Sequence, residues 1–382
     1  MAATRTVYTP EHELFRGVVR DFLTREVAPY HDQWERDGQV DRTVYKAAAQ
    51  AGVLGFSVPE EYGGLGVDDF RYNAIVAEEL AASRLSGPAL TLHNDIIAPY
   101  LLRLTTEDQR QRWLTGLAGG DLTFAIGMSE PTAGSDLAGI RTTAVRDGGE
   151  WVINGQKTFI SNGILSDVVI VVCRTDPEAG HKGFSLVAVE ADTAGFERGR
   201  KLDKIGHRAQ DTSELFFTDC RVPITNLLGT EGRGFYHLME NLPSERLSIA
   251  ISAIAGARNI FDQTVQYAHD RKAFGQEIGS FQSNRFTIAE MATELDIAQV
   301  YIDNCIRQVL DGSLTAVDAA KAKWWCTELN KKVVDHCLQL HGGYGYMLEY
   351  PVAKAYRDVR ISTILGGTTE IMKDIIGRDL GF

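Results

Sequence analysis

Trp151-Val152-Ile153-Asn154-Gly155-Gln156-Lys157-Thr158-Phe159-Ile160 is where the sequence changes period. Apolar and β-branched residues crowd into strand-length runs here. Asn-Gly between them supplies the two positive-φ residues of a type I′ turn, so the stretch predicts a β-hairpin. Val168–Arg174, Phe184–Glu190 and Glu214–Phe217 are further short runs between Gly, Pro and Asp clusters. Strands at this spacing predict a small β-barrel or sandwich over residues 123–229. No βαβ unit of about 30 residues appears, which argues against a doubly wound dinucleotide fold.

On either side the period is helical. Thr9-Pro10 reads as an N-cap followed by Pro at the first helical position, and Leu14, Val18, Phe22 and Val27 recur behind it. Helices are predicted over 42–51, 69–82, 94–104 and 106–117, the last opened by a capping box at Thr105-x-x-Asp108. Residues 1–122 thus form an N-terminal α-helical domain. Beyond Gly234 the predicted helices are long: Phe235–Asp270 with a kink at Pro243, then Gln282–Leu310 and Thr315–His341, and a last one from Thr369 to Leu380. Long helices with short connections predict an antiparallel four-helix bundle over 230–382. The fold class is α+β, multidomain.

Composition narrows the function. The 382 residues predict two or three domains. A formal charge of −12 disfavours binding nucleic acid or an anionic membrane through the whole surface. No apolar stretch approaches the roughly 20 residues of a membrane span. Met1 to Pro10 lacks the apolar core of a secretion signal, so a soluble, cytoplasmic chain is expected. The 5 cysteines show no CxxC spacing and the 9 histidines no HxxxH pair, so neither disulfides nor a metal site is expected.

Met128-Ser129-Glu130-Pro131-Thr132-Ala133-Gly134-Ser135-Asp136 resembles the first signature of the acyl-CoA dehydrogenases. Asn154-Gly155-Gln156-Lys157 with Ile160-Ser161-Asn162-Gly163 is similar to that family's flavin-facing hairpin. Arg271-Lys272-Ala273-Phe274-Gly275, followed by Phe281-Gln282, is similar to its subunit-interface motif, and Gln339-Leu340-His341-Gly342-Gly343-Tyr344-Gly345-Tyr346 to its C-terminal signature. The matches run in order over nearly the whole chain. The resemblance implies bound FAD, an acyl-CoA substrate, an electron-transfer flavoprotein as partner and a homotetramer built as a dimer of dimers.

It also implies roles for residues. Met128 and Ser129 would contact the flavin ring. Ser135 would contact either the flavin phosphates or the pantetheine arm of the substrate. Phe159 and Ser161 alternate on one strand face, where a ring and a hydroxyl could stack beside and bond a flat heterocycle, or simply be a core Phe and a surface Ser. The family commonly has Trp at the Phe159 position. Arg271, Phe274, Gln282, Gln339 and Gly343 would hold the diphosphate and adenosine of a cofactor bound mainly to a neighbouring subunit. Gly366-Gly367-Thr368-Thr369-Glu370 is a Gly-rich turn into a helix, a general anion site; Thr368 and Glu370 would line the cofactor pocket.

Removing the α-proton of a thioester needs a carboxylate in a partly desolvated pocket, and donors to the carbonyl on which charge develops. Many relatives place the glutamate immediately before the Gly-Thr of the C-terminal loop, where this chain has Gly366. Isovaleryl-type and long-chain-type members place it on the long helix before an arginine, which here is Pro243-Ser244-Glu245-Arg246-Leu247. Glu245 is therefore the expected base and the Gly366 N–H a donor to the thioester carbonyl, with Arg246 positioning substrate or helix. Phe235, Leu238, Met239 and Leu242 are candidates for the acyl pocket, or plain core. An oxidase or monooxygenase on the same scaffold, a carrier-protein-bound acyl substrate, and a non-catalytic flavin-binding protein are the competing readings.

Overall fold

The computed structural model describes residues 5–382; the sequence reading of Met1–Thr4 lies outside them. The N-terminal part holds α1 (Pro10–Phe22), α2 (Ala28–Asp37), α3 (Thr43–Gln50), α4 (Phe70–Ser83), α5 (Ala98–Leu104) and α6 (Glu107–Gly119). The apolar stripe predicted for α1 is displaced: Leu14 and Val18 are exposed, and Val19, Phe22, Leu23 and Val27 are the residues that reach the core. Nor does Thr105 cap α6. Thr106 does, with Gln109 returning to the Thr106 N–H at 2.9 Å.

Two π-helical turns interrupt this region, at Leu23–Val27 and Leu92–Ile97. Each is followed by proline as the second residue of the next helix, Pro29 in α2 and Pro99 in α5. Proline has no N–H to give the carbonyl four residues back, and its ring crowds that carbonyl. The turn before it opens to the wider spacing, a local form often found at functional sites. In the second turn the widening carries His93, Asn94 and Asp95 all into the interior.

The middle part is an eight-stranded sheet: β1 (Phe124–Gly127), β2 (Thr143–Asp147), β3 (Glu150–Ser161), β4 (Val168–Arg174), β5 (Phe184–Glu190), β6 (Phe196–Lys201), β7 (Thr212–Pro223) and β8 (Leu227–Leu228). Its order is β6-β7-β3-β2-β4-β5-β8, with β1 parallel to β4. The sheet is not closed, so the barrel alternative fails. β2 and β4 share only the pair Thr143–Arg174, and across this joint the two halves fold face to face over Trp151, Ile153, Val171 and Phe217. β4 is apolar throughout because both its faces are covered: Val168, Ile170 and Val172 meet the N-terminal helices, and Val169, Val171 and Cys173 the other half-sheet.

The predicted Asn154-Gly155 turn is absent. β3 runs straight through it, and the hairpin turn is Gly148-Gly149, between the paired residues Asp147 and Glu150. Asn154-Gly155 is a bulge instead. The Asn154 side chain exchanges hydrogen bonds with Asp219 (3.1 and 2.8 Å), and a Cβ on Gly155 would lie 2.5 Å from Thr142 Oγ1. The same local signal, a residue pair tolerant of positive φ, serves bulges as well as turns.

The C-terminal part comprises α7 (Gly234–Asp270), α8 (Gln282–Leu310), α9 (Ala316–His341), α10 (Pro351–Asp358) and α11 (Thr369–Asp379). α7 continues unbroken through Pro243. Thr315 caps α9 as expected, its hydroxyl accepting from the Asp318 N–H at 3.0 Å. Small residues on α7 (Ala250, Ala253, Ala257) let it pack closely on α4, α8 and α9 in one core. All 5 cysteines are buried and unpaired. Among the described residues no helix is long and apolar enough to cross a membrane.

Candidate active site

Glu245 lies on the second turn after Pro243, and only 4% of it is exposed. Its Oε1 accepts from Asn241 Nδ2 at 2.8 Å, one turn back on α7, and from Tyr100 Oη at 3.2 Å, across from α5. Burial pushes its pKa up; the bonds from Asn241 and Tyr100 and the charges of Arg246 and Arg103 only partly oppose this. Its carboxylate makes no ion pair with any described residue. A carboxylate so desolvated and so weakly compensated is suited to take a proton near neutrality.

The loop before α11 faces this turn. Gly366 and Gly367 have φ of 66° and 102°. A Cβ on Gly366 would stand 2.5 Å from Ile249 Cδ1, one turn beyond Glu245 on the same helix face. Two cations hold the loop by its carbonyls: Arg246 Nε donates to Gly366 O (3.1 Å) and Lys323 Nζ to Gly367 O (2.6 Å). Lys323 is wholly buried on α9, and burial beside Arg246 brings its pKa down to about 8. The N–H groups of Gly366 and Gly367 donate to no acceptor among the described residues, which leaves them free for a ligand.

A cavity of about 280 Å³ opens beside this loop, lined by Leu80, Ala89, Ile249, Ala253, Ile260 and Leu365 among others. Its wall on α7 runs from Ser248 to Ile260, about 18 Å of helix. The sequence-predicted lining is misplaced. Leu238 and Leu242 are core, Phe235 stacks on His181 at 4.2 Å, and Met239 is part-exposed; the cavity begins a turn and a half later.

The strand side of the site is built by β3. The Thr158 N–H donates to Ser129 O (2.9 Å), and buried Lys157 holds Glu130 (2.8 Å) and Met128 O (3.2 Å), fixing Met128 and Ser129 beside the strand. Phe159 departs from the expected alternation. It sits in a second bulge at φ 60° with 71% of its surface exposed, while Ile160 turns into the core and Ser161 is half-buried. Ser161 pairs with Thr212, and the loop entering Thr212 lines the same cavity as Leu365 through His207 and Gln210. Gly134 and Ser135 form an open loop where a Cβ on Gly134 would meet nothing within 4 Å. Thr368 caps α11 by accepting from the Ile371 N–H (3.4 Å), and Glu370 is exposed.

The remaining expected cofactor residues lie elsewhere. Arg271 follows α7, and about 38 Å of helix separates Glu245 from Asp270. Around Arg271 the structure gathers Phe274, 96% exposed at φ 53°, with Gln282, Gln339 and Gly343, all exposed; the Arg271 guanidinium lies 5.7 Å from the Tyr344 ring centre. One chain therefore presents two separated half-sites. An exposed flat ring, free loop N–H groups and an uncovered arginine cluster fit a dinucleotide shared between chains, as read from the sequence.

Tyr100, Asn241, Lys323 and Asp95 escaped the sequence reading. Lys323 left a signal: it is a lone cation in Ala322-Lys323-Trp324-Trp325-Cys326, inside a helix that the apolar pattern already buries. A charge there must have an internal partner. The cluster His31, Asp32 and Glu35 has ligand-like spacing, but Lys354 already occupies both carboxylates at 2.9 and 3.0 Å.

A helix–sheet–helix chain with a desolvated glutamate over a glycine loop is the plan of a flavin-dependent oxidoreductase of thioesters. Three family models match it in order: the acyl-CoA dehydrogenase N-terminal domain over residues 9–121, the middle domain over 125–220 and the C-terminal domain over 232–381. The chain belongs to the acyl-CoA dehydrogenase family, whose members are FAD flavoproteins. It is similar to the mitochondrial long-chain specific acyl-CoA dehydrogenase of Rattus norvegicus, 44% identical over 98% of this chain and 88% of that one. The crystal structure of an acyl-CoA dehydrogenase from Geobacillus kaustophilus superposes with a TM-score of 0.97, at 48% identity over 99% of this chain and 100% of the other. A glutaryl-CoA dehydrogenase from Mycobacterium smegmatis in complex with FADH2 gives 0.90 at 26% identity, over 98% and 95%.

Proposed function

We propose that the protein dehydrogenates a saturated, long-chain acyl-CoA between the α and β carbons, giving the trans-2-enoyl-CoA, with electrons passing to an electron-transfer flavoprotein. The observation that carries this is Glu245: a buried carboxylate, free of ion pairs, across from a glycine loop with two unused N–H groups. Glu245 accepts the α-proton. The Gly366 N–H donates to the thioester carbonyl as enolate-like charge develops there. Arg246 and Lys323 keep that loop in place by its carbonyls. Bound FAD supplies the acceptor for the hydride that leaves the β-carbon. Met128, Ser129, Phe159 and Ser161 would seat its ring, and Thr368 and Glu370 would line the pocket. Arg271, Phe274, Gln282, Gln339 and Gly343 would hold the far end of the cofactor bound by a neighbouring subunit of a homotetramer. Ser135 would meet either the cofactor phosphates or the pantetheine arm.

Long-chain preference is supported by the cavity. An extended alkyl chain along its roughly 18 Å of α7 wall holds about 14 carbons at ordinary C–C bond lengths. The similarity to long-chain enzymes points the same way.

The test is anaerobic titration of the yellow protein with saturated acyl-CoAs from short to long, branched ones included, watching the flavin band. Bleaching should be strongest with long chains. Glu245→Gln should fold and keep its flavin, yet lose turnover by about 10²–10⁴-fold or more. Full turnover in that variant would sink the assignment of the base. Rapid oxygen consumption by the reduced enzyme would favour an oxidase instead.

A further inference from the structure

Asp95 is a second buried carboxyl, 3% exposed, on the π-helical turn facing α7. Its Oδ2 accepts from Ser248 Oγ and its Oδ1 from Asn73 Nδ2 (2.8 Å) on α4. Ser248 stands three residues beyond Glu245, so its side chain rises beside that of Glu245, with about 5–6 Å between Cβ atoms. Asp95 thus approaches α7 at the turn that carries the expected base.

The charges around the pair are few. From α4 Asp95 receives only the neutral amide of Asn73, and from α7 the hydroxyl of Ser248 and the field of Glu245. In its own segment His93 is tied up, Nδ1 with Ala89 O (2.8 Å) and Nε2 with the Phe124 N–H (3.0 Å); burial holds it neutral, with its pKa down to about 4. Glu245 faces Tyr100 from α5 and Asn241 on α7. Arg103 reaches it only through Asn241 Oδ1 (2.7 Å), and Arg246 is turned to the Gly366 carbonyl. Neither carboxyl has a cation bonded to it.

We propose that Asp95 is a positioning residue for the base: anchored by Asn73 and Ser248, it presents a second negative charge to Glu245 and makes Glu245 the stronger proton acceptor. This rests on Glu245 being the base. Two carboxylates in one desolvated site repel, and the repulsion is relieved when either takes a proton. The α-proton delivered to Glu245 is therefore held more tightly than a lone carboxylate would hold it. Both of Asp95's partners donate and so favour its ionised form, while burial and Glu245 oppose this and push its pKa up to about 7. Across the neutral range the pair alternates between one charge and two.

The experiment is the pH profile of kcat/KM with a long-chain acyl-CoA in Asp95→Asn, which keeps the shape and removes the charge. The acid limb should move down by about one pH unit, the size expected for one like charge at this range. At its plateau kcat should fall several-fold with KM unchanged, because the base is weaker and the binding surface intact. Stability gives a second readout. An acid whose folded pKa is raised favours the fold at low pH and loses that contribution as pH rises through the folded value. Wild type should therefore lose stability relative to Asp95→Asn between pH 4 and 7.

Ser248→Ala keeps Asp95 and removes one donor to it. Asp95 then stays protonated to higher pH, and the acid limb should move the same way by less. An acid limb at the wild-type position in a folded, yellow Asp95→Asn, or in Ser248→Ala if the first variant does not fold, overturns the proposal. Glu245→Gln separates the two levels: activity there defeats the base assignment, whereas inactivity there with an unmoved limb defeats only the role of Asp95.

Discussion

Gly366 shows how one residue decides where the base can stand. Its φ of 66° disfavours any side chain, and Ile249 occupies the space a Cβ would need. Moving the base by Glu245→Gly with Gly366→Glu should therefore recover little turnover. Adding Ile249→Ala should recover more, because it clears the 2.5 Å contact; steady-state rates of the double and triple variants decide this. Equal rates would mean that backbone conformation alone, worth about 1–2 kcal/mol, sets the limit. Glu245 was legible because Glu-Arg after a proline is a local pattern on one helix. Tyr100, Asp95 and Lys323 reach the same site from α5, the π turn and α9, and no local pattern records that convergence.

The π turn is the element on which the site hangs. Within it Asn94 ties two segments together: Oδ1 accepts from the Gly55 N–H and Nδ2 donates to Val53 O, each at 2.9 Å. Asn94→Ala leaves both backbone groups buried and unpaired, at about 1–3 kcal/mol each. Thermal denaturation should show a Tm lower by several degrees, and the turn should loosen beside Asp95; an unchanged Tm would mean that water replaces both bonds. The elements most legible in the sequence are those buried on both faces or sharply capped, such as β4 and α9. Least legible were the bulges of β3. Asn154-Gly155 suits a turn as well as a bulge, and only pairing with β7 through Asp219 decides between them. The stripe on α1 failed for a related reason: the π turn at Leu23–Val27 shifts the phase of whatever precedes it.

At the scale of the molecule, one chain leaves too much apolar surface uncovered for a solitary life. On α8, Phe286, Ile297 and Val300 are 59–62% exposed, near one line along the helix, and Phe274 stands free beyond it. Pairing with other copies, as the proposed tetramer requires, would cover them. Ile297→Glu with Val300→Glu should give a smaller species in sedimentation, with weaker retention of flavin. An unchanged mass would place the contact on another face. The three-part plan was readable from the sequence because period alone distinguishes strand from helix. The separation of the two half-sites was not, because it is the length of α7 that sets it. That length has a genetic consequence. A subunit crippled at Glu245 still carries an intact Arg271 end, and one crippled at Arg271 an intact base. Where both defective copies are expressed together, some mixed assemblies bring the two sound ends into one pocket. Two alleles, each inactive alone, would then complement each other.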